Sequence, residues 1–207
     1  MELKQQYLNA LNALDKDTAL SLITNALDKK QIDLISVYQG ILSHALEDVD
    51  NKDHNIWEEH IKTQIVRTTI EAMYPYVLKL APTQKTRKIA VVTPEGELHE
   101  LGGRIAADYL RILGFEVYYL GNSLPKHQLV DLVRECHLDA LAISISNFYT
   151  MSSLNTMIGL VNEANPDLKI IIGGRAIMNN PFGAKGQNLL VCQTYEDLLK
   201  ASEVIKK

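Results

Sequence analysis

The sequence predicts a doubly wound, parallel α/β sheet preceded by an all-α bundle, and three observations carry that prediction. From residue 88 onward, short apolar runs alternate with segments whose apolar residues recur at helical spacing. Residues 2–80 show the helical period alone. Between them lies Ala81-Pro82-Thr83-Gln84-Lys85-Thr86-Arg87, a short polar stretch with one proline that reads as a linker. The expected organisation is a bundle over 1–80, a linker over 81–87 and an α/β domain over 88–207.

In the first half, Leu3, Tyr7, Leu8, Leu11 and Leu14 form one stripe. Asp15 or Asp17 is placed to cap a second helix through Ala19, Leu20, Leu22, Ile23 and Ala26. A third helix runs from about Ile32 to Ala45, and residues 49–55 form a polar break. A long fourth helix begins at Ile56 and reaches about Leu80. Pro75 is expected to bend or interrupt it, because proline removes one helical hydrogen bond. Four amphipathic helices with short connections predict a four-helix bundle.

In the second half, strands are expected near 88–93, 115–120, 138–145, 169–173 and 188–192. Helices are expected near 102–113, 125–136, 152–164 and 194–206, with a short turn near 175–180. Pro125 suits a first helical turn and Gly114 a helix end. Right-handed crossovers between such elements give a flavodoxin-like sheet of order 2-1-3-4-5.

The 207 residues are 46% hydrophobic and 22% charged, with a formal net charge of −4. That balance supplies a real core and speaks against direct nucleic-acid binding, since no Lys/Arg cluster offsets the negative charge. No apolar run approaches a membrane span, and Met1-Glu2-Leu3-Lys4 opens straight into an amphipathic pattern with no signal-like segment. Cys136 and Cys192 fit buried thiols of a reducing compartment, so a cytoplasmic location is expected.

The chemistry concentrates in Thr93-Pro94-Glu95-Gly96-Glu97-Leu98-His99-Glu100-Leu101-Gly102-Gly103-Arg104, the loop leaving the first strand. Open α/β sheets bind ligands at the carboxyl ends of their strands. A histidine with one ring nitrogen held by a carboxylate presents the other as an oriented, more basic metal ligand. Glu97 and His99 have that spacing, and Gly102 would let a bulky ligand approach the backbone. The competing interpretation is a loop histidine that only hydrogen-bonds near a turn. His44, His54, His127 and His137 show no partner spacing.

This loop resembles the lower-ligand loop of cobalamin-binding domains, usually Asp-x-His-x-x-Gly followed later by Ser-x-Leu and Gly-Gly. Here Glu97 takes the first place, as in the CarH-like photoreceptors of that family. Ser144-Ile145-Ser146 stands at Ser-x-Leu with its third position departing, and Gly173-Gly174-Arg175 stands at the glycine pair. Trp57-Glu58-Glu59-His60 resembles the photoreceptor bundle's Glu-His pair, carried by Glu59 and His60. That family's tryptophan, ten residues before the Glu, falls on Val49 here, and its DNA-binding helix-turn-helix domain has no counterpart in these residues.

The resemblance implies cobalamin as cofactor, with His99 as the lower cobalt ligand and Glu97 orienting it. Thr93 and Gly96 would approach the corrin edge. Ser144, Ser146, Asn147, Gly173 and Gly174 would line the slot for the nucleotide tail, unless the serines are ordinary helix caps and the glycines a tight turn. Trp57, Glu59 and His60 would face the upper side. The main expectation is a sensor that favours adenosylcobalamin, responds to light and acts through a protein partner rather than as an enzyme. The alternatives are a corrinoid methyl carrier of a methyltransferase system, which would hold methylcobalamin, and an interaction module that has lost the cofactor. Self-association is left open.

Overall fold

The computed structural model describes residues 2–49, 55–122, 124–180 and 183–207. The chain divides into two compact units, Met1–Lys79 and Leu80–Lys207. The first is helical: α1 (Leu3–Asn12), α2 (Lys16–Asp28), α3 (Leu34–Val37), a π-helical segment Tyr38–Leu42, α4 (Ser43–Val49) and α5 (Ile56–Leu80). Asp15 caps α2 by accepting from the Thr18 amide at 3.0 Å, and Asp33 caps α3 through Ser36 at 2.9 Å. The third predicted helix is thus present but widened in its middle, where Tyr38, Ile41 and Leu42 turn inward and are buried. The polar break over 49–55, with His54, lies mostly outside the described residues.

Polar contacts tie α5 to its neighbours. Tyr7 and Thr69 share a buried hydroxyl contact at 3.1 Å, Lys62 Nζ donates to Asn12 Oδ1 at 2.5 Å, and the Tyr76 hydroxyl donates to Asp28 at 2.6 Å. The expected interruption at Pro75 does not occur, and α5 runs through it. Proline there removes one helical donor, and Glu71, one turn earlier, lies on the exposed face of the helix.

The second unit is a five-stranded parallel sheet in the order β2-β1-β3-β4-β5. Its strands are β1 (Lys88–Val92), β2 (Glu116–Gly121), β3 (Ala140–Ser144), β4 (Lys169–Gly173) and β5 (Leu189–Val191). The helices are α6 (Leu101–Ile112), α7 (Lys126–Glu135), α8 (Met151–Ala164), the short α9 (Arg175–Asn179) and α10 (Tyr195–Lys206). This is the flavodoxin-like arrangement, with helices on both faces. On one face Ala90, Val92, Leu141, Ile143, Ile170 and Ile172 form a continuous core with Leu129 and Val133 of α7 and Leu154, Met157, Ile158 and Val161 of α8. α6 and α10 pack together, with the Tyr109 and Tyr195 rings 4.9 Å apart edge to face. Each fully buried Leu or Ile of this kind stabilises the unit by about 1.5–3 kcal/mol, which explains why the central strands are apolar on both faces.

The strand order reverses between β1 and β3, so the loops after these two strands border the crevice where such sheets place ligands. β3 stops at Ser144, one residue short of the expected strand near 138–145, so Ser146 and Asn147 lie beyond its end. Both lie in the following loop, which enters a 3-10 turn, Phe148–Thr150, and then α8.

Candidate functional site

The histidine loop begins with a β-turn. The Glu97 amide donates to the Pro94 carbonyl at 2.9 Å, and the third residue of the turn, Gly96, sits at φ +86°. A type II turn requires that backbone conformation, which only glycine adopts freely. Gly96 is therefore explained by the turn, whose effect is to send Glu97 inward and leave Leu98 and His99 outward. Glu97 is fully buried, and the His99 side chain keeps 47% of its surface exposed.

The Glu97 carboxylate joins two loops. Its Oε1 accepts from the His99 backbone amide at 3.0 Å and stands 2.6 Å from His99 Nδ1. Its Oε2 accepts from the backbone amides of Ser146 at 2.9 Å and Asn147 at 2.7 Å, with the Thr150 hydroxyl 3.3 Å away. Burial, the largest influence, would raise the Glu97 carboxyl. The hydrogen bonds from His99, Asn147 and Ser146 together outweigh it and hold the group at about 2. An ionised carboxylate can only accept, so His99 Nδ1 donates in this pair, and in the neutral imidazole Nε2 then bears the lone pair.

The other expected residues divide into groups. Thr93 is fully buried, and its hydroxyl donates to the Gly121 carbonyl at 3.3 Å, so it fixes the floor of the loop instead of presenting an edge. Ser144 is buried beneath the start of α6. A Cβ added at Gly103 would come within 3.2 Å of Ser144 Cβ, and one at Gly102 within 3.5 Å of its Oγ. These glycines let helix and strand end approach each other. Gly173 and Gly174 are required by the fold itself: an added Cβ would sit 2.4 Å from the Cys192 carbonyl oxygen and 2.3 Å from that of Ile145. Gly174 is also at φ +101°. The tight turn thus accounts for both without a ligand.

Trp57, Glu59 and His60 belong to the helical unit, in the first turns of α5. The indole is 57% exposed, Glu59 half-buried and His60 exposed. α8 has no side-chain cap at Thr150; the preceding turn is held by the Asn147 side chain, which accepts from the Tyr149 amide at 3.0 Å. Thr150 was not foreseen. Its contact with Glu97 depends on the loop path, and no spacing signal in the sequence marks it. Glu100 and Arg104 were likewise missed: Glu100 is buried, with Arg104 Nη2 3.9 Å from Oε1 and its guanidinium over the Tyr119 ring.

Among the described residues no group of three or more His, Cys, Asp or Glu side chains converges to hold a metal ion. One oriented imidazole suits a metal already chelated by a macrocycle and lacking an axial ligand. The fold and the site together give an open α/β domain whose loop after β1 presents one carboxylate-held histidine at the carboxyl ends of the strands. Residues 87–197 match the model of the B12 binding domain, and the chain belongs to that family.

Relatives extend the likeness beyond that domain. The chain is 22% identical over 210 residues to the dimethylamine corrinoid protein of Methanosarcina barkeri, covering 99% of this chain and 98% of the other. It is 25% identical over 178 residues to the trimethylamine corrinoid protein of the same organism, covering 81% and 80%. In fold it is similar to the Methanosarcina barkeri monomethylamine corrinoid protein, with a TM-score of 0.80, 17% identity and 98% and 96% of the chains covered. The methanol:cobalamin methyltransferase complex MtaBC of Methanosarcina barkeri includes a chain matched at a TM-score of 0.54 and 19% identity, covering 98% of this chain and 79% of that one. These relatives side with the methyl-carrier alternative and give no support to the photoreceptor expectation.

No helix among the described residues is long and apolar enough to cross a membrane.

Proposed function

We infer that this chain is a corrinoid protein that holds cobalamin through His99 and passes methyl groups between methyltransferase partners. The observation that carries this reading is the buried Glu97 carboxylate against His99 Nδ1 at 2.6 Å, on the loop beside the switch point of the sheet. End-to-end likeness to a dimethylamine corrinoid protein supports the carrier role over the sensor role. Bound cobalamin would supply a cobalt centre able to take up a methyl group and give it away.

The residues of the chain do the holding. Glu97 keeps the proton on His99 Nδ1, so Nε2 can donate to a metal without losing a proton. The half-exposed ring leaves that nitrogen within reach of a large ligand at the carboxyl ends of the strands. Ser144, Gly102 and Gly103 are the candidates to border the nucleotide tail, together with Ser146 and Asn147 in the next loop. Glu59, His60 and Trp57 are the helical unit's candidates for contact with the cofactor.

The carrier reading is tested by titrating the protein with methylcobalamin and with adenosylcobalamin, followed by size exclusion in darkness and after illumination. A carrier binds methylcobalamin at least as tightly as adenosylcobalamin, and light leaves its oligomeric state unchanged. Clear preference for adenosylcobalamin together with a light-driven change of assembly would return the sensor reading.

A further inference from the structure

We propose that Tyr119 of β2 is a positioning residue for His99, because its hydroxyl and ring hold the weak start of α6 that follows the histidine. The proposal rests on the reading of His99 as cobalt ligand.

The start of α6 has little to hold it from within. Glu100 is its N-cap, and the Glu100 side chain makes no capping hydrogen bond. The first turn then carries Gly102 and Gly103, and glycine is the poorest helix former after proline. An uncapped first turn with two glycines frays unless something outside the helix holds it. His99 stands one residue before the N-cap's own carbonyl, so fraying there reaches the imidazole. Glu97 holds His99 by its amide and its ring, not by the peptide that follows.

The hold on that peptide comes from β2. The Tyr119 hydroxyl donates to the Glu100 carbonyl at 3.1 Å. The same carbonyl accepts from the Arg104 amide at 3.0 Å, the first hydrogen bond of the helix. Tyr119 therefore fixes the acceptor on which α6 starts. The Arg104 guanidinium lies over its ring, with Cζ 5.1 Å from the centroid, within the range of a cation–π contact. One side chain thus grips both ends of the first helical turn.

The anchor is itself fixed. Tyr119 pairs with Val91 in the ladder between β1 and β2, and the Gly121 carbonyl accepts from the Thr93 amide at 3.1 Å. Gly121 also leaves room for the buried Glu100 carboxylate, since an added Cβ would stand 3.3 Å from Oε2. A second tie on this side of the sheet, Lys126 to Glu95 at 3.5 Å, joins side chains open to water. Solvent screens such a pair, so it contributes little beside Tyr119.

The test compares wild type with Tyr119→Phe, which keeps the ring and removes the hydroxyl. Amide exchange by NMR on the cofactor-free chain reads the anchor. The Arg104 amide should exchange about three to ten times faster in the variant, the range set by the net worth of one hydrogen bond. After loading with hydroxocobalamin, the visible spectrum is followed as pH is lowered. Protons compete with cobalt for Nε2, so a weaker histidine bond gives way at higher pH. The midpoint should rise by about 0.5–1 pH unit in Tyr119→Phe, the same factor read on the pH scale. Arg87→Ala is the control: it removes the ion pair to Asp139 before β1 and should lower the melting temperature without moving the midpoint.

An Arg104 amide that exchanges at the wild-type rate in Tyr119→Phe overturns the anchor. Faster exchange with an unmoved midpoint overturns the control of the ligand by Tyr119. A midpoint that moves equally in Arg87→Ala shows general loosening and overturns it too. A wild type with no histidine-bound spectrum at any pH defeats the ligand reading, and this proposal with it. A wild-type transition that Tyr119→Phe leaves in place defeats the proposal alone.

Discussion

Replacing Glu97 with glutamine should destabilise the α/β unit far more than a substitution of one side-chain atom suggests. Four donors point at two carboxylate oxygens: the His99 amide and Nδ1, and the Ser146 and Asn147 amides. Glutamine keeps one oxygen and turns the other into an NH2 group, which then faces donors at either end. The carboxyl is held down from 4.5 to about 2, which sets the scale of the net interaction at roughly 3 kcal/mol at 1.36 kcal/mol per unit. The side chain is fully buried, so solvent screens little of this. At about 2–4 °C per kcal/mol for a chain of this size, the melting temperature should fall by about 6–12 °C at pH 7. The sign with pH follows from the same depression. The contribution is fully present above the unfolded-state value near 4.5 and is lost as pH falls toward about 2. Calorimetry of both proteins between pH 7 and pH 2.5 should therefore show the gap closing at the acid end. A gap below about 0.5 kcal/mol at pH 7, the range of ordinary surface substitutions, would refute the reasoning. So would a gap that does not change with pH.

Three further outcomes follow from named positions. Gly174→Ala should cost more than 1 kcal/mol in denaturant unfolding, because φ is +101° and the new methyl would meet the Ile145 backbone; a neutral result would mean the turn can shift freely. Trp57→Ala should change stability by less than about 0.5 kcal/mol, the indole being more than half exposed, while altering cobalamin affinity in a titration if the residue meets the cofactor; equal affinities would remove it from the site. With a net charge of −4, the purified chain should leave duplex DNA unshifted on a gel at physiological salt, and a salt-sensitive shift would contradict this.

The sheet was legible because its strands are apolar on both faces and short, and because Gly114 and Pro125 mark where helices stop and start. Both residues stand where the pattern placed them, at φ +93° after α6 and as the residue before α7. Of the two outcomes expected at Pro75, a bend or an interruption, interruption does not occur, because the packing of the buried stripe on both sides of the proline outweighs one missing hydrogen bond. The π-helical segment at Tyr38–Leu42 was invisible for a related reason: one extra residue per turn leaves the apolar stripe nearly unchanged.

At the site, the Glu97–His99 pair was legible from spacing, since both groups lie on one short loop. The partners of Glu97 on the far side were not. Backbone amides carry no sequence signature, and Ser146 and Asn147 contribute through theirs. The glycine pair at 173–174 was legible as a position but not in its cause, because the neighbouring Cys192 and Ile145 carbonyls come from distant segments.

The central claim, that His99 is the axial nitrogen ligand of cobalt, is tested most directly by electron paramagnetic resonance of the protein loaded with cobalamin and reduced to the cobalt(II) state. Protein grown on 15N and loaded with unlabelled cofactor should show each cobalt line split into two by a spin-½ nitrogen, against three in unlabelled protein. His99→Ala should lose the two-line pattern. Three-line splitting in the labelled protein would show that the nitrogen belongs to the cofactor's own base, and would contradict the account.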